Sequence, residues 1–157
     1  MKRKKLEIIV QSAKQTQQAA KILAKEIIQS RPRDKKALII GLEGDLGSGK
    51  TTFIQGLAQG LGIKEKIASP TFVILKKYNI PNKNVSGFRF QVSGLYHIDC
   101  YRINHQDLLE LDFKEIINQP QNIIAIEWAE RVKKILPKNA LWLKFDYLGK
   151  NKRRIMI

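Results

Sequence analysis

Gly44 to Thr51, GDLGSGKT, fits the pattern G-x-x-x-x-G-K-[ST] at every fixed position. A glycine-rich turn of this kind aims successive backbone N–H groups inward, so the loop wraps a phosphate while the positive end of the next helix faces it. Side chains would block that approach, which is why glycine recurs. Lys50 supplies a mobile point charge for the β- and γ-phosphates, and the Thr51 hydroxyl a ligand for a Mg2+ that bridges them. Asp45, Leu46, Gly47, Ser48, Gly49 and Thr52 complete the expected nucleotide cradle. Composition alone produces the four fixed positions in roughly one in a few hundred chains of this length, so the flanks decide. Ala37 to Leu42 is an apolar run that reads as a buried parallel strand, and Thr51 to Leu61 carries Phe53, Ile54, Leu57, Ala58 and Leu61 at helical spacing. Strand, loop and helix in that order are the setting the pattern requires.

The 157 residues are read as one domain, 1–157. A chain of this size buries roughly two thirds of its unfolded surface. Cys100 is the only cysteine, which excludes a disulfide framework and a cysteine-based zinc site and fits a reducing cytoplasm. The basic MKRKK is followed by LEIIV, too short for a signal-peptide core or a membrane span, so a cytoplasmic protein without membrane contact is expected. The 29 Lys plus Arg against 14 Asp plus Glu give a formal charge of +15. Such a field attracts polyanions. The basic residues are dispersed except in Lys2 to Lys5 and Lys150 to Arg154, so a solvated surface that maintains solubility remains the alternative reading.

Leu6 to Val10 reads as an edge strand. Ser12, with Gln15 three residues on, has the capping-box pattern and opens a helix expected to run to about Gln29, before Arg31-Pro32. After the phosphate loop and its helix comes Ser69-Pro70-Thr71, leading into an apolar strand, Phe72 to Leu75. A threonine at this place is where nucleotide switches sense the γ-phosphate, although a plain turn fixed by Pro70 and Ser69 has the same spelling. Tyr78 to Gly94 reads as a hairpin, or a loop holding a short strand around Phe88 to Val92. Asn82-Lys83 resembles the start of the guanine-reading NKxD motif, but Val85 stands where its Asp belongs, so adenine is the expected base.

Leu95 to Asp99 is a strand ending in a carboxylate, with Leu95, His97 and Asp99 on one face. His97 reads as a structural partner and Cys100 as buried and inert. Asp107 to Asn118 fits one or two short helices. Asn122 to Ile126, followed by Glu127-Trp128, is the better match to a strand that delivers a carboxylate to Mg2+, the alternative being a Glu127 paired with Arg131 one turn on. A helix over 129–136, a strand over 140–147 and a closing strand over 153–157 complete a three-layer α/β, P-loop NTPase-like domain with a mostly parallel sheet and antiparallel edge strands.

The ordered set GDLGSGKTT, SPTF, HIDCYR and IEWAER closely resembles the TsaE (YjeE) family, from about Ser12 to the C-terminus. The resemblance implies an ATPase of tRNA threonylcarbamoyladenosine formation, acting in the cytoplasm with the TsaB and TsaD proteins and meeting tRNA through that complex. It implies ATP and Mg2+ as cofactors, with Thr51 and Glu127 as the metal ligands. It matches Thr71 to the threonine of an S-P-T motif and Asp99 to the acid of H-x-D-x-Y-R, and places base contacts near Ser12 to Thr16 and near Gly149 to Lys152. Lys50, Thr71 and Asp99 are the candidate catalytic residues: Lys50 supplies charge, and Asp99, a second carboxylate beside the metal site, orders the attacking water unless it and Glu127 exchange roles. The family usually has alanine where Ser48 stands, and the stretch from Tyr78 to Leu95 is longer than the family pattern. A small-molecule kinase and a basic RNA-binding module with a structural nucleotide are the competing classes; phosphate release without an acceptor, in the presence of the partner proteins, separates the ATPase from both.

Overall fold

The computed structural model describes residues 5–30, 34–70, 72–81 and 92–157. Among the described residues seven strands form one sheet: β1 (Glu7–Val10), β2 (Leu38–Glu43), β3 (Leu75–Asn79), β4 (Gly94–Asp99), β5 (Asn122–Glu127), β6 (Leu141–Tyr147) and β7 (Arg153–Met156). Their spatial order is β1-β7-β6-β2-β5-β4-β3. The four inner strands β6, β2, β5 and β4 run parallel, while β1 on β7, β7 on β6 and β3 on β4 are antiparallel. A parallel core with antiparallel edges is thus the architecture the sequence predicts.

The helices are α1 (Ala13–Ser30), α2 (Lys50–Gly60), α3 (His105–Leu109), α4 (Phe113–Ile117) and a 3-10 helix, Ala129–Ile135. Alternate residues of the inner strands face opposite layers, as strand geometry demands. Ile40, Leu42, Ile123 and Ala125 pack with α1 and α2 on one side. Ile39, Ile124 and Ile126 pack with Leu108, Phe113, Ala129 and Val132 on the other. Both faces of the central strands are therefore buried, and their continuous apolar runs are the sequence signature of that position.

Ser12 caps α1 as expected: the Gln15 N–H donates to Ser12 Oγ at 3.1 Å, and Gln15 Oε1 in turn accepts the Gln11 N–H at 2.8 Å. The expected strand over Phe72 to Leu75 is corrected. The N–H groups of Val73 and Ile74 both donate to the Pro70 carbonyl, Ile74 takes φ 66, and the strand begins at Leu75. A tight turn has won over the apolar run, and it leaves Phe72 and Val73 87% and 65% exposed. The helix expected over 129–136 is wound as the 3-10 form. Thr71, Lys2 to Lys4, Arg31-Pro32 as the stop of α1, Asn82-Lys83 with Val85, and the strand around Phe88 lie outside the described residues.

Two glycines let α1 and α2 approach closely. A Cβ on Gly56 would stand 2.3 Å from the Gln17 carbonyl oxygen, and one on Gly60 2.6 Å from Ala24 Cβ. Gly56→Ala is therefore expected to destabilise the protein by about 1–3 kcal/mol, although alanine is favoured over glycine in a free helix by about 1 kcal/mol. Thermal unfolding checks it: the midpoint should fall by about 2–4 °C for each kcal/mol.

Candidate nucleotide site

Between β2 and α2 the chain turns through three glycines with positive φ: Gly44 at 148°, Gly47 at 76° and Gly49 at 103°. A Cβ on Gly44 would meet the Phe145 carbonyl oxygen at 2.5 Å, so this position excludes any side chain. The turn brings Lys50 to the first position of α2, whose leading N–H groups have no intrahelical partner, and Gly49 to Thr52 line the cleft there.

The Lys50 ammonium is buried and held by backbone. Nζ donates to the carbonyls of Gly44 and Asp45, the latter at 3.0 Å, and lies 3.5 Å from Ser48 Oγ. Trp128, in the left-handed region at φ 56, sets its ring over Nζ at 4.1 Å. Burial pushes the ammonium below the ordinary lysine range, opposed by the nearby carboxylates of Glu127, Glu130, Asp99 and Asp45. A cation with such partners is well placed to exchange neutral carbonyls for phosphate oxygens.

Glu127 ends β5, the strand beside β2, and is 4% exposed. Its Oε1 accepts the Thr51 hydroxyl at 2.7 Å and faces His97 Nε2 at 2.8 Å. An ionised carboxylate only accepts, so Nε2 carries the proton of that bond. The structural role read for His97 therefore has a named object. Arg131 is not among the hydrogen-bond partners of Glu127 in the described residues. Asp99 sits opposite Glu127 in the β4–β5 register, with Oδ2 accepting from Ser69 Oγ at 3.0 Å and Oδ1 from the Tyr101 N–H at 2.9 Å. Cys100 is fully buried, and burial pushes its thiol up to about 12, which fits the inert role expected of it.

Among the described residues no three His, Cys, Asp or Glu side chains gather as a metal site. One hydroxyl and one carboxylate nevertheless match the needs of Mg2+, which takes oxygen ligands at about 2.0–2.1 Å and keeps phosphates and waters in its remaining positions. Neighbouring ligands of such an octahedron stand about 2.9 Å apart, close to the 2.7 Å between Thr51 Oγ1 and Glu127 Oε1. The residues present fit the ion.

These groups open into a cleft of about 460 Å3, within the size range of small-molecule sites. Of the residues predicted for the site, Leu46 through Thr52, Ser12, Thr16, Asp99 and Glu127 line it. Gly44 and Asp45 do not line it, and their carbonyls stand behind, on Lys50. The sequence marks only part of the remaining lining. Lys150 and Asn151 lie in the expected turn, but Arg153, Trp128 and Tyr101 also line the cleft. The tryptophan directly after a strand-ending glutamate was a signal for one of these; nothing local marked Arg153.

A parallel sheet whose central strand leads through a glycine-turned loop into a helix, with a carboxylate ending the adjacent strand, defines a P-loop nucleotide-binding domain. Family comparison is more specific. Residues 10–155 match the model of "Threonylcarbamoyl adenosine biosynthesis protein TsaE", and the chain belongs to that family. Relatives named as tRNA threonylcarbamoyladenosine biosynthesis protein TsaE include those of Nostoc sp. (44% identical, covering 60% of this chain and 54% of that protein), Rickettsia typhi (36%, covering 90% and 87%) and Aquifex aeolicus (35%, covering 96% and 94%). The matches to the Nostoc, Haemophilus influenzae and Bacillus subtilis relatives span 54–66% of those proteins' lengths. A crystal structure of Bacillus subtilis YdiB superposes with a TM-score of 0.68 at 31% identity, covering 98% of this chain and 84% of that one.

Lys50→Ala deletes the one ammonium seated inside the phosphate loop. Its affinity for a nucleoside triphosphate, measured by calorimetry, should fall tenfold or more, about 1.4 kcal/mol at least. Unchanged affinity would contradict the phosphate-loop geometry.

Proposed function

We propose that this chain is a Mg2+-dependent ATPase that acts with the TsaB and TsaD proteins in forming N6-threonylcarbamoyladenosine at position 37 of tRNAs that read codons beginning with A. The observation that carries the ATPase reading is the Thr51–Glu127 contact, 2.7 Å across the mouth of the phosphate loop, which pairs a helix-borne hydroxyl with a strand-borne carboxylate. The pathway follows from membership of the family, and the partners from the motif resemblance.

Phosphoryl transfer to water calls for charge neutralisation and an aligned nucleophile rather than covalent chemistry. Lys50 moves from the Gly44 and Asp45 carbonyls to the β- and γ-phosphates. Thr51 and Glu127 would hold Mg2+, which when bound would neutralise charge developing on the phosphate oxygens. His97 keeps Glu127 turned toward Thr51. Asp99, steadied by Ser69 and the Tyr101 N–H, aligns the attacking water. Thr71, two residues beyond Ser69, takes the γ-phosphate-sensing role. Ser12 and Thr16 at the start of α1, with the turn before β7, flank the adenine end. Contact with tRNA is assigned to the assembled complex and not to this chain alone.

The turn after Pro70 supports partner-dependent turnover. Its Ile74 carbonyl accepts the Asp99 N–H at 2.9 Å, so it is tied to the strand end that carries the proposed water-aligning group. Phe72 and Val73, at its tip, offer apolar surface that a partner can cover.

Two outcomes test this reading. Glu127→Ala should keep ATP affinity within about tenfold, roughly 1.4 kcal/mol, yet lose the Mg2+ dependence of hydrolysis; turnover that still rises with Mg2+ would return Glu127 to a purely structural role. The purified chain should release phosphate from ATP slowly without any acceptor, and markedly faster once TsaB and TsaD are added. Full turnover by the chain alone, or transfer only to a small-molecule acceptor, would overturn the proposal.

A further inference from the structure

Arg153, the first residue of β7, lines the cleft and reaches both the phosphate loop and the β6–β7 turn. Its Nε donates to the Gly47 carbonyl at 3.2 Å, its Nη1 to the carbonyls of Gly149 at 2.8 Å and Lys152 at 3.1 Å, and its guanidinium stacks on Tyr147 at 4.4 Å. Gly47 and Arg153 are 106 residues apart in the chain, so a tertiary contact joins the phosphate loop to the β6–β7 turn. The planar fork of arginine suits this arrangement, because one rigid group presents several donors in fixed directions while its face lies on a ring.

The bond to Gly47 acts on a particular peptide. A trans peptide is planar, with its C=O and N–H on opposite edges. On one edge of the Gly47–Ser48 peptide the carbonyl accepts from Arg153; on the other the Ser48 N–H donates to the Asp45 carbonyl at 3.1 Å. Gly47 has φ 76, and an added Cβ would find nothing within 4 Å, so local packing does not restrain this corner of the loop. Without the guanidinium the peptide keeps only the second of these two bonds, and the loop that leads into α2 is held less firmly.

We infer that Arg153 is a positioning residue for the triphosphate: it fixes the Gly47–Ser48 peptide of the phosphate loop and joins that loop to the turn at Gly149, so the cradle is set before the ligand arrives. The inference rests on the nucleotide-binding reading above and adds a residue to it. Its effect passes through the backbone of the phosphate loop and not through contact with the base.

Binding of Mg2+-ATP and of Mg2+ with inorganic tripolyphosphate, which has no base or sugar, separates these roles. For Arg153→Ala both affinities should fall by a similar factor, about tenfold, as for one hydrogen bond from a charged donor, while the thermal midpoint of the ligand-free protein stays near wild type. Arg153→Lys keeps the charge but loses the fork and the stack, and should remain close to Arg153→Ala. Tyr147→Leu, which keeps the guanidinium but frees it, should weaken both ligands by a smaller common factor, and serves if Arg153→Ala does not fold. Loss of ATP affinity alone would make Arg153 a base or ribose contact. Full recovery by lysine would reduce its role to charge, and unchanged affinities throughout would leave it structural; each of these overturns the inference. Failure of the wild-type protein to bind either ligand would instead strike at the nucleotide reading itself.

Discussion

A carboxylate buried at the end of β5 constrains much of the site. Glu127 is 4% exposed, and a charge in such a place costs several kcal/mol unless strong partners surround it. Its Oε1 has two, the Thr51 hydroxyl from α2 and the His97 ring from β4. Three elements must therefore arrive together: the strand that carries the acid, the neighbouring strand that carries the imidazole, and the helix that begins at the phosphate loop. The parallel order β2-β5-β4 supplies this, because parallel strands end at the same edge of the sheet and deliver their terminal side chains side by side.

The phosphate loop depends on a complementary constraint, the exclusion of side chains. Gly44 lies too near the Phe145 backbone to accept a Cβ, and Gly49 enters α2 from the left-handed region. Behind the loop, Gly56 and Gly60 let α1 press against α2, and this brings Ser12 and Thr16 to the rim of the cleft. The glycines that shape the loop and those that seat its helix thus serve one arrangement. The Ser48 hydroxyl sits beside Lys50, 3.5 Å from its Nζ.

Much of this was legible in the sequence because it is written locally. A glycine-rich loop between an apolar run and a helical period, a serine three residues before a glutamine, and strands ending in Asp99 and Glu127 are all short-range patterns. The misreading at Phe72 to Leu75 arose because an apolar run carries no mark of what covers it; the hydrogen bonds to Pro70 turned the chain and left two of its side chains in solvent. His97 could be recognised as a polar group with a structural task, but its partner lies 30 residues away and comes into reach only through strand pairing. Arg153 was hidden more deeply. In the sequence it belongs to a basic run, and only the folding back of β7 on β6 turns it toward Gly47.

On the proposed function, Lys50, Thr51 and Glu127 form a preset cradle for a Mg2+-bound triphosphate. A crystal structure with Mg2+ and a non-hydrolysable ATP analogue tests it most directly. Lys50 Nζ is expected to leave the Gly44 and Asp45 carbonyls for β- and γ-phosphate oxygens, and the metal to be held by Thr51 Oγ1 and Glu127 in place of their hydrogen bond. A triphosphate bound with Lys50 still on those carbonyls, or a metal held without Thr51 and Glu127, would contradict it.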